Sequence, residues 1–224
     1  STTLPFQDRQ NAGIIAEALH LGSELLTMDV AGSQRAGTTA LTAALKAAAS
    51  GDRIIVAASE KRRTKAASPI ELTAGDAAGA LVIAEGDGAA KLLGQATHAV
   101  DFVDHYRGQD EAFDYVWEER WIRDEGYNKI VPTAVNSALA NAGIGAADVN
   151  HFIFPVAAGR VAGGLAKKLG IPDAAVRDNL QGTVGEAGSA HSIVMLVQAL
   201  EEAKRGDIIL VTSFGQGCDA LIFG

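Results

Sequence analysis

The sequence contains a single cysteine, Cys218, among 224 residues. That excludes an intrachain disulfide and an all-cysteine zinc site, and it fits a reducing compartment, with the cytoplasm as the expected location. Basic charge is scarce as well: 19 Lys and Arg against 27 Asp and Glu give a net charge of -8. No broad cationic surface is left to hold a phosphate backbone, so nucleic acid is not an expected partner. The chain has no apolar run near the roughly 18 to 20 residues that cross a bilayer and no signal-peptide pattern at its first residues, so no membrane association is expected. Five histidines, His20, His98, His105, His151 and His191, show no metal-ligand spacing, and no metal is expected. Proline is sparse, 5 residues against 25 glycines, which points to many tight turns and close backbone approaches.

What is present is an ordinary globular balance, 48% hydrophobic and 21% charged, in a length sufficient for one or two domains. Apolar spacing predicts helices over 8–21, 35–49, 130–141, 161–169 and 189–204. Short apolar runs predict strands over 25–30, 53–58, 78–84, 89–100, 152–154, 208–214 and 219–223. Apolar strands alternating with helices predict an α/β chain whose sheets are covered on both faces. The segment from 101 to 128 departs from this pattern, holding both tryptophans and all three tyrosines among many charges. An internal echo is also visible. A helix leads into Gly51-Asp52-Arg53-Ile54-Ile55-Val56, and another into Gly206-Asp207-Ile208-Ile209-Leu210-Val211. Duplication of a half and a generic helix-to-strand turn both account for it.

Four stretches carry a family signature when taken in order. Asp29 to Leu41 has the form of a nucleophile elbow, and Gly75-Asp76-Ala77-Ala78-Gly79-Ala80 that of a Gly-Asp-Gly-Ala-Gly-Ala strand entry. Phe154 to Gly170 ends in Ala166-Lys167-Lys168-Leu169-Gly170, and Gly185 to Gly217 closes with the Gly-rich turn Phe214-Gly215-Gln216-Gly217. Together they resemble the thiolase superfamily, in the branch of beta-ketoacyl-ACP synthase III and hydroxymethylglutaryl-CoA synthase. The resemblance implies a layered αβαβα sandwich of two duplicated halves, with the first half incomplete. Residues 1–100 would form the first half, 101–128 an insertion that shapes an acyl pocket or a dimer contact, and 129–224 the second half. Ser1 would fall in a loop well inside the first half. Either the chain is part of a longer protein or another polypeptide completes the sheet.

In that family a cysteine thiolate accepts the acyl group, helped by a histidine and an asparagine. The resemblance places Gln34 at the cysteine position, Pro155 at the histidine position (Val156 if slipped by one residue) and Glu186 at the asparagine position. An amide cannot carry an acyl group, a prolyl ring cannot donate a hydrogen bond, and a carboxylate is an anion where the family has a neutral donor. Glu186 with a raised pKa, or His191 five residues on, could act as a replacement acid or base. The alternative is a loop and helix cap in which Glu186 simply faces the positive helix end. Arg62 and Arg63, in the run Glu60-Lys61-Arg62-Arg63-Thr64-Lys65, fall where the family receives the adenosine phosphates of coenzyme A, and Arg160 matches a family arginine. With Gly215 and Gly217 they are the expected cofactor-binding residues, the ligand or substrate being a coenzyme A thioester.

The expected function is therefore a thiolase-fold subunit without its own nucleophile, structural or partner-dependent, within a heteromeric acyl-CoA thiolase or acyltransferase complex. Its expected partner is a cysteine-containing homologue in a homo- or heterodimer arrangement, with a small zinc-ribbon and OB-fold protein as a further one. Two alternatives stand beside it: an active enzyme with a rebuilt site, such as a carbon-carbon lyase, retro-aldolase or decarboxylase, and a module that only binds coenzyme A thioesters.

Overall fold

The computed structural model covers residues 1–224. In chain order the elements are α1 (Asn11–Ala18), α2 (Ala36–Ala48), β1 (Ile54–Glu60), β2 (Ala77–Ile83), β3 (Leu92–Ala99), β4 (His105–Tyr106), β5 (Tyr115–Val116), α3 (Glu119–Trp121), α4 (Asn128–Ala142), β6 (His151–Ile153), α5 (Val161–Leu169), α6 (Gly188–Glu202), β7 (Ile209–Phe214) and β8 (Gly217–Phe223). A π-helical turn, Ile122–Tyr127, links α3 to α4. Most predicted elements form within two or three residues of their expected ends.

The echo in the sequence is an echo in space. Gly51 and Gly206 both turn the chain at φ 95°, a left-handed conformation that favours glycine. Each ends a helix and feeds a strand, and each strand then pairs antiparallel with the next, β1 with β2 and β7 with β8. The two units, α2-β1-β2 and α6-β7-β8, pack through their helices, and Gly37 permits that approach. A Cβ there would lie 2.3 Å from the Ser189 carbonyl oxygen. The chain is thus α/β with mixed sheets, as expected.

The second unit is the larger. Its sheet runs β3-β8-β7-β6, with β6 parallel to β7 and the other pairs antiparallel. Strand alternation divides its side chains between two cores. Leu210, Ala220 and Ile222 face the cluster built with Val131, Val135 and Leu139 of α4. Ile209, Val211 and Leu221 face the cluster built with Ile193 and Leu196 of α6 and Leu41 of α2. Both faces are therefore covered, and every residue of β7 and β8 is buried.

Two expectations need correction. β3 falls within the expected first half, but it pairs with β8 along Leu92↔Phe223 to Ala99↔Gly217, so the division at residue 100 cuts into the second sheet. No strand forms over 25–30: no neighbouring strand pairs with it, and Leu26 and Met28 stand exposed. Asp29 instead caps α1, accepting the backbone N–H groups of Asn11 and Ala12 at 2.7 Å each. The outer face of β1–β2 shows Ile55 and Val82 to solvent.

Candidate functional site

The duplicated helices bring their N-termini together. Gln34 stands two residues before α2 and Glu186 two residues before α6, so the two units place one polar side chain each at equivalent positions. They meet at Gly188, whose φ is 51°. A Cβ on Gly188 would lie 2.8 Å from Gln34 Oε1, 2.9 Å from Glu60 Cγ and 3.1 Å from Arg62 Nη1. Gln34, Glu60 and Arg62 thus crowd around one glycine.

The Gly75-Asp76 motif fixes this arrangement from beneath. Gly75 N–H donates to the Glu186 carbonyl at 2.8 Å, and Glu186 N–H donates to Thr73 O at 2.6 Å. A Cβ on Gly75 would sit 1.8 Å from the Val184 carbonyl, so only glycine lets the two backbones approach. Asp76 accepts the Arg62 backbone N–H at 3.1 Å. One motif therefore sets both Arg62 and Glu186.

Arg62 is the centre of the site. Its side chain is 2% exposed, with Nη1 2.6 Å from Glu186 Oε2 and Nη2 2.7 Å from Asp114 Oδ2. Nη2 also faces His105 Nε2 at 3.1 Å. Glu186 is satisfied twice, because its Oε1 accepts the Gly188 N–H at 2.7 Å. Asp114 is held by Arg107 as well, at 3.0 Å. Beyond His105 the network continues to Asp104, 3.0 Å from His105 Nδ1, and to the hydroxyl of Tyr127, which donates to Asp104 at 3.2 Å. Burial works against the His105 imidazolium, but the Asp104 carboxylate outweighs it and raises the His105 pKa above its ordinary value. In the neutral ring Nδ1 donates to Asp104 and Nε2 accepts from Arg62.

A further carboxylate, Glu60, lies beside this network at the end of β1. It accepts from Ser189 Oγ at 2.6 Å and Ser189 N at 3.2 Å, and from the backbone of Thr2 and the hydroxyl of Thr3. Burial alone would raise its pKa, yet these donors hold it below the usual carboxylate range.

The expected site residues separate into those brought together and those that are not. Gln34, Arg62 and Glu186 converge. Arg62 is not a surface phosphate ligand, since burial and two carboxylates commit its guanidinium; the neighbouring Arg63 is less enclosed. His191 is fully buried, with Nδ1 accepting the Ala187 N–H at 3.2 Å and Nε2 donating to Asn179 O at 2.7 Å. Burial lowers its pKa, and with both nitrogens engaged it holds the α6 N-terminus as a neutral ring rather than serving as an acid or base. Pro155 follows β6 and is half-buried. Arg160, exposed at the start of α5, borders a separate hollow with Arg177 and Asn179. Gly215 packs on the Gln34 loop, where a Cβ would come within 3.0 Å of Gln34, and its carbonyl accepts from Ser33 Oγ and Arg35 Nε at 2.8 Å each. Gly217 lies against His98 O, 2.0 Å from where its Cβ would be, and so lets β8 meet β3. Cys218 is fully buried and burial pushes its thiol far up.

Sequence reasoning missed Asp104, His105, Arg107, Asp114 and Tyr127. All lie in the aromatic segment, and the one signal available was the density of charges there. Asp219 was missed too. It is buried, takes Arg35 at 2.8 Å and accepts from Thr38, Thr39 and Thr97, so it staples α2 to β8 and β3.

The sequence family of 3-oxoacyl-(acyl-carrier-protein) synthase III C-terminal domains matches residues 139–222. Hydroxymethylglutaryl-CoA synthase of Aeropyrum pernix is 28% identical over 221 residues, which is 97% of this chain and 61% of that protein. The Pyrococcus horikoshii enzyme of the same name is 28% identical over 228 residues, covering all of this chain and 65% of its own. The chain thus spans less than two thirds of the length of these relatives. Among solved structures, 3-oxoacyl-(acyl-carrier-protein) synthase III from Aquifex aeolicus superposes at a TM-score of 0.82 with 22% identity, over 95% of this chain and 71% of that one. A point variant of OleA from Xanthomonas campestris superposes at 0.83 with 20% identity, over 98% and 70%. The fold is thiolase-like, and along its length the chain is similar to hydroxymethylglutaryl-CoA synthases and 3-oxoacyl-(acyl-carrier-protein) synthase III.

Proposed function

We propose that this chain is an acyl-CoA-related thiolase-fold subunit that carries no acyl group itself and works as a structural or partner-dependent member of a heteromeric thiolase or acyltransferase complex. The observation that carries this reading is the Arg62–Glu186 ion pair at 2.6 Å in front of Gln34. Where a nucleophile would need an acid, a base and room for a thioester, the α2 and α6 N-termini hold an amide, a neutralised carboxylate and a buried guanidinium. An amide side chain is neither nucleophilic nor titratable. A carboxylate clamped by Arg62 on one oxygen and by the Gly188 N–H on the other has both oxygens engaged within the chain. Coenzyme A binding is compatible with this reading, with Arg63 and Arg160 as the cations available to its phosphates.

The test is to express the chain with its neighbouring genes, purify through a tag on this chain, and assay acyl-CoA cleavage. The reading expects a cysteine-bearing homologue in the preparation, with activity lost on replacing that homologue's cysteine and kept with Glu186→Gln in this chain. Cleavage by the chain alone, abolished by Glu186→Gln, would instead establish a rebuilt active site.

A further inference from the structure

The aromatic segment presents a surface that the network beneath it does not need. Tyr106, Phe113, Tyr115, Trp117 and Trp121 are all large rings left exposed, by 50%, 42%, 55%, 39% and 43%. Four of them touch in a row: Tyr106 to Tyr115 at 5.4 Å, Tyr115 to Trp117 at 5.5 Å and Trp117 to Trp121 at 5.1 Å between ring centroids. The row continues inward through Phe102 to Phe214, whose next residue, Gly215, packs on the Gln34 loop. The hairpin carrying the rings is pinned from below, by Asp114 on Arg62 and Arg107 and by His105 on Asp104. The rings are therefore ordered before anything binds to them, which removes much of the entropic cost of using them as anchors.

Charge says what would bind. From 101 to 128 the segment holds nine acidic residues against three arginines, Arg107, Arg120 and Arg123. Asp104 and Asp114 are consumed by the network below. Asp110, Glu111 and Glu119 are exposed, and no ion pair neutralises them, whereas Glu118 spends both oxygens capping α3 through the Arg120 and Trp121 N–H groups. Tyrosine and tryptophan faces attract cations, arginine above all, and the acidic rim reinforces that attraction. Aromatic anchors inside a charged rim have the make-up of a protein interface centre.

We propose that this aromatic-acidic face is the docking surface for a basic segment of a partner protein, whose arginine and lysine side chains lie over the rings and pair with Asp110, Glu111 and Glu119. It rests on the partner-dependent reading for the existence of a partner and adds the chemistry by which that partner is recognised. Both tryptophans of the chain belong to the face, so intrinsic fluorescence reports on it directly.

The experiment titrates the whole chain with a synthetic dodecapeptide of alternating arginine and leucine, and with its glutamate-leucine counterpart, while tryptophan emission is followed. The basic peptide should shift emission saturably and the acidic one should not. Binding should weaken roughly tenfold or more with Asp110→Lys, Glu111→Lys and Glu119→Lys combined, and should fall with added salt. These positions are exposed, and an unchanged melting temperature in the triple variant separates lost binding from lost fold. Equal response to both peptides, or binding unaffected by the charge reversals, would overturn the proposal. So would emission that changes only with chain concentration, in step with dimer formation, which would make a second copy the occupant. If a cysteine-bearing homologue co-purifies equally well with wild type and with the triple variant, this surface is wrong while the subunit reading stands.

Discussion

Arg62 and Glu186, 124 residues apart in the sequence, meet at 2.6 Å in front of the paired helix N-termini. One comes from the loop after β1 and the other from the loop before α6, so the contact ties the two duplicated units together. The Arg62 side chain is 2% exposed and Asp114, its other carboxylate partner, 4% exposed. Removing the guanidinium leaves buried negative charge uncompensated, which typically costs about 3–5 kcal/mol. Arg62→Ala should therefore lower the unfolding free energy by that amount in a urea titration. Glu186→Gln, at a carboxylate 22% exposed, should cost clearly less. Equal, small losses for both would show that the network contributes little.

Glu60 gives a pH dependence with a definite sign. Its pKa in the folded chain lies below the ordinary glutamate value of 4.5, because the Ser189, Thr3 and Thr2 donors outweigh the effect of burial. A depressed carboxylate pKa stabilises the fold above that ordinary value, and the stabilisation is lost as pH falls through the folded pKa. Glu60→Gln should thus be less stable than wild type at neutral pH, by about 1.5–3 kcal/mol for a charge-assisted hydrogen bond. The difference should shrink as pH drops below 4.5. Melting curves of both proteins from neutral to acidic pH check this, and a constant gap across that range would contradict it.

The fold was legible because its signals are local and repeated. Largely apolar runs such as Ile208 to Phe214 read as buried strands, and the two Gly-Asp turns marked the duplication that the matching helix-strand-strand units α2-β1-β2 and α6-β7-β8 bear out. Strand 25–30 misled because an apolar run is a strand only when a neighbour supplies the hydrogen bonds. β3 misled because sheet membership is a matter of pairing, not of sequence proximity. At the site, the Gly75 neighbourhood was legible as a glycine motif, but the partner of Arg62 was not. A run of basic residues read as a phosphate-binding loop, and nothing local reveals that Asp114 and Glu186 fold over the second of them.

Gly188 tests how tightly the site is packed. Its left-handed φ of 51° costs an L-residue about 1–2 kcal/mol, and an added Cβ would come 2.8 Å from Gln34 Oε1. Gly188→Ala should lose more stability than the backbone cost alone. Adding Gln34→Ala, which withdraws the colliding amide, should return part of it. Strictly additive losses in the double variant, measured by urea unfolding, would mean that the two side chains do not meet.

The most decisive measurement is the intact mass of the purified chain after incubation with acetyl-CoA, alone and together with its co-purified homologue, with thiol release followed in parallel. If Gln34 stands where acyl transfer needs a thiolate, this chain gains no acyl mass in either case, releases no coenzyme A alone, and the acyl group appears on the partner's cysteine. A stoichiometric acyl adduct on this chain, or steady release of coenzyme A by the chain alone, would contradict the role proposed for it.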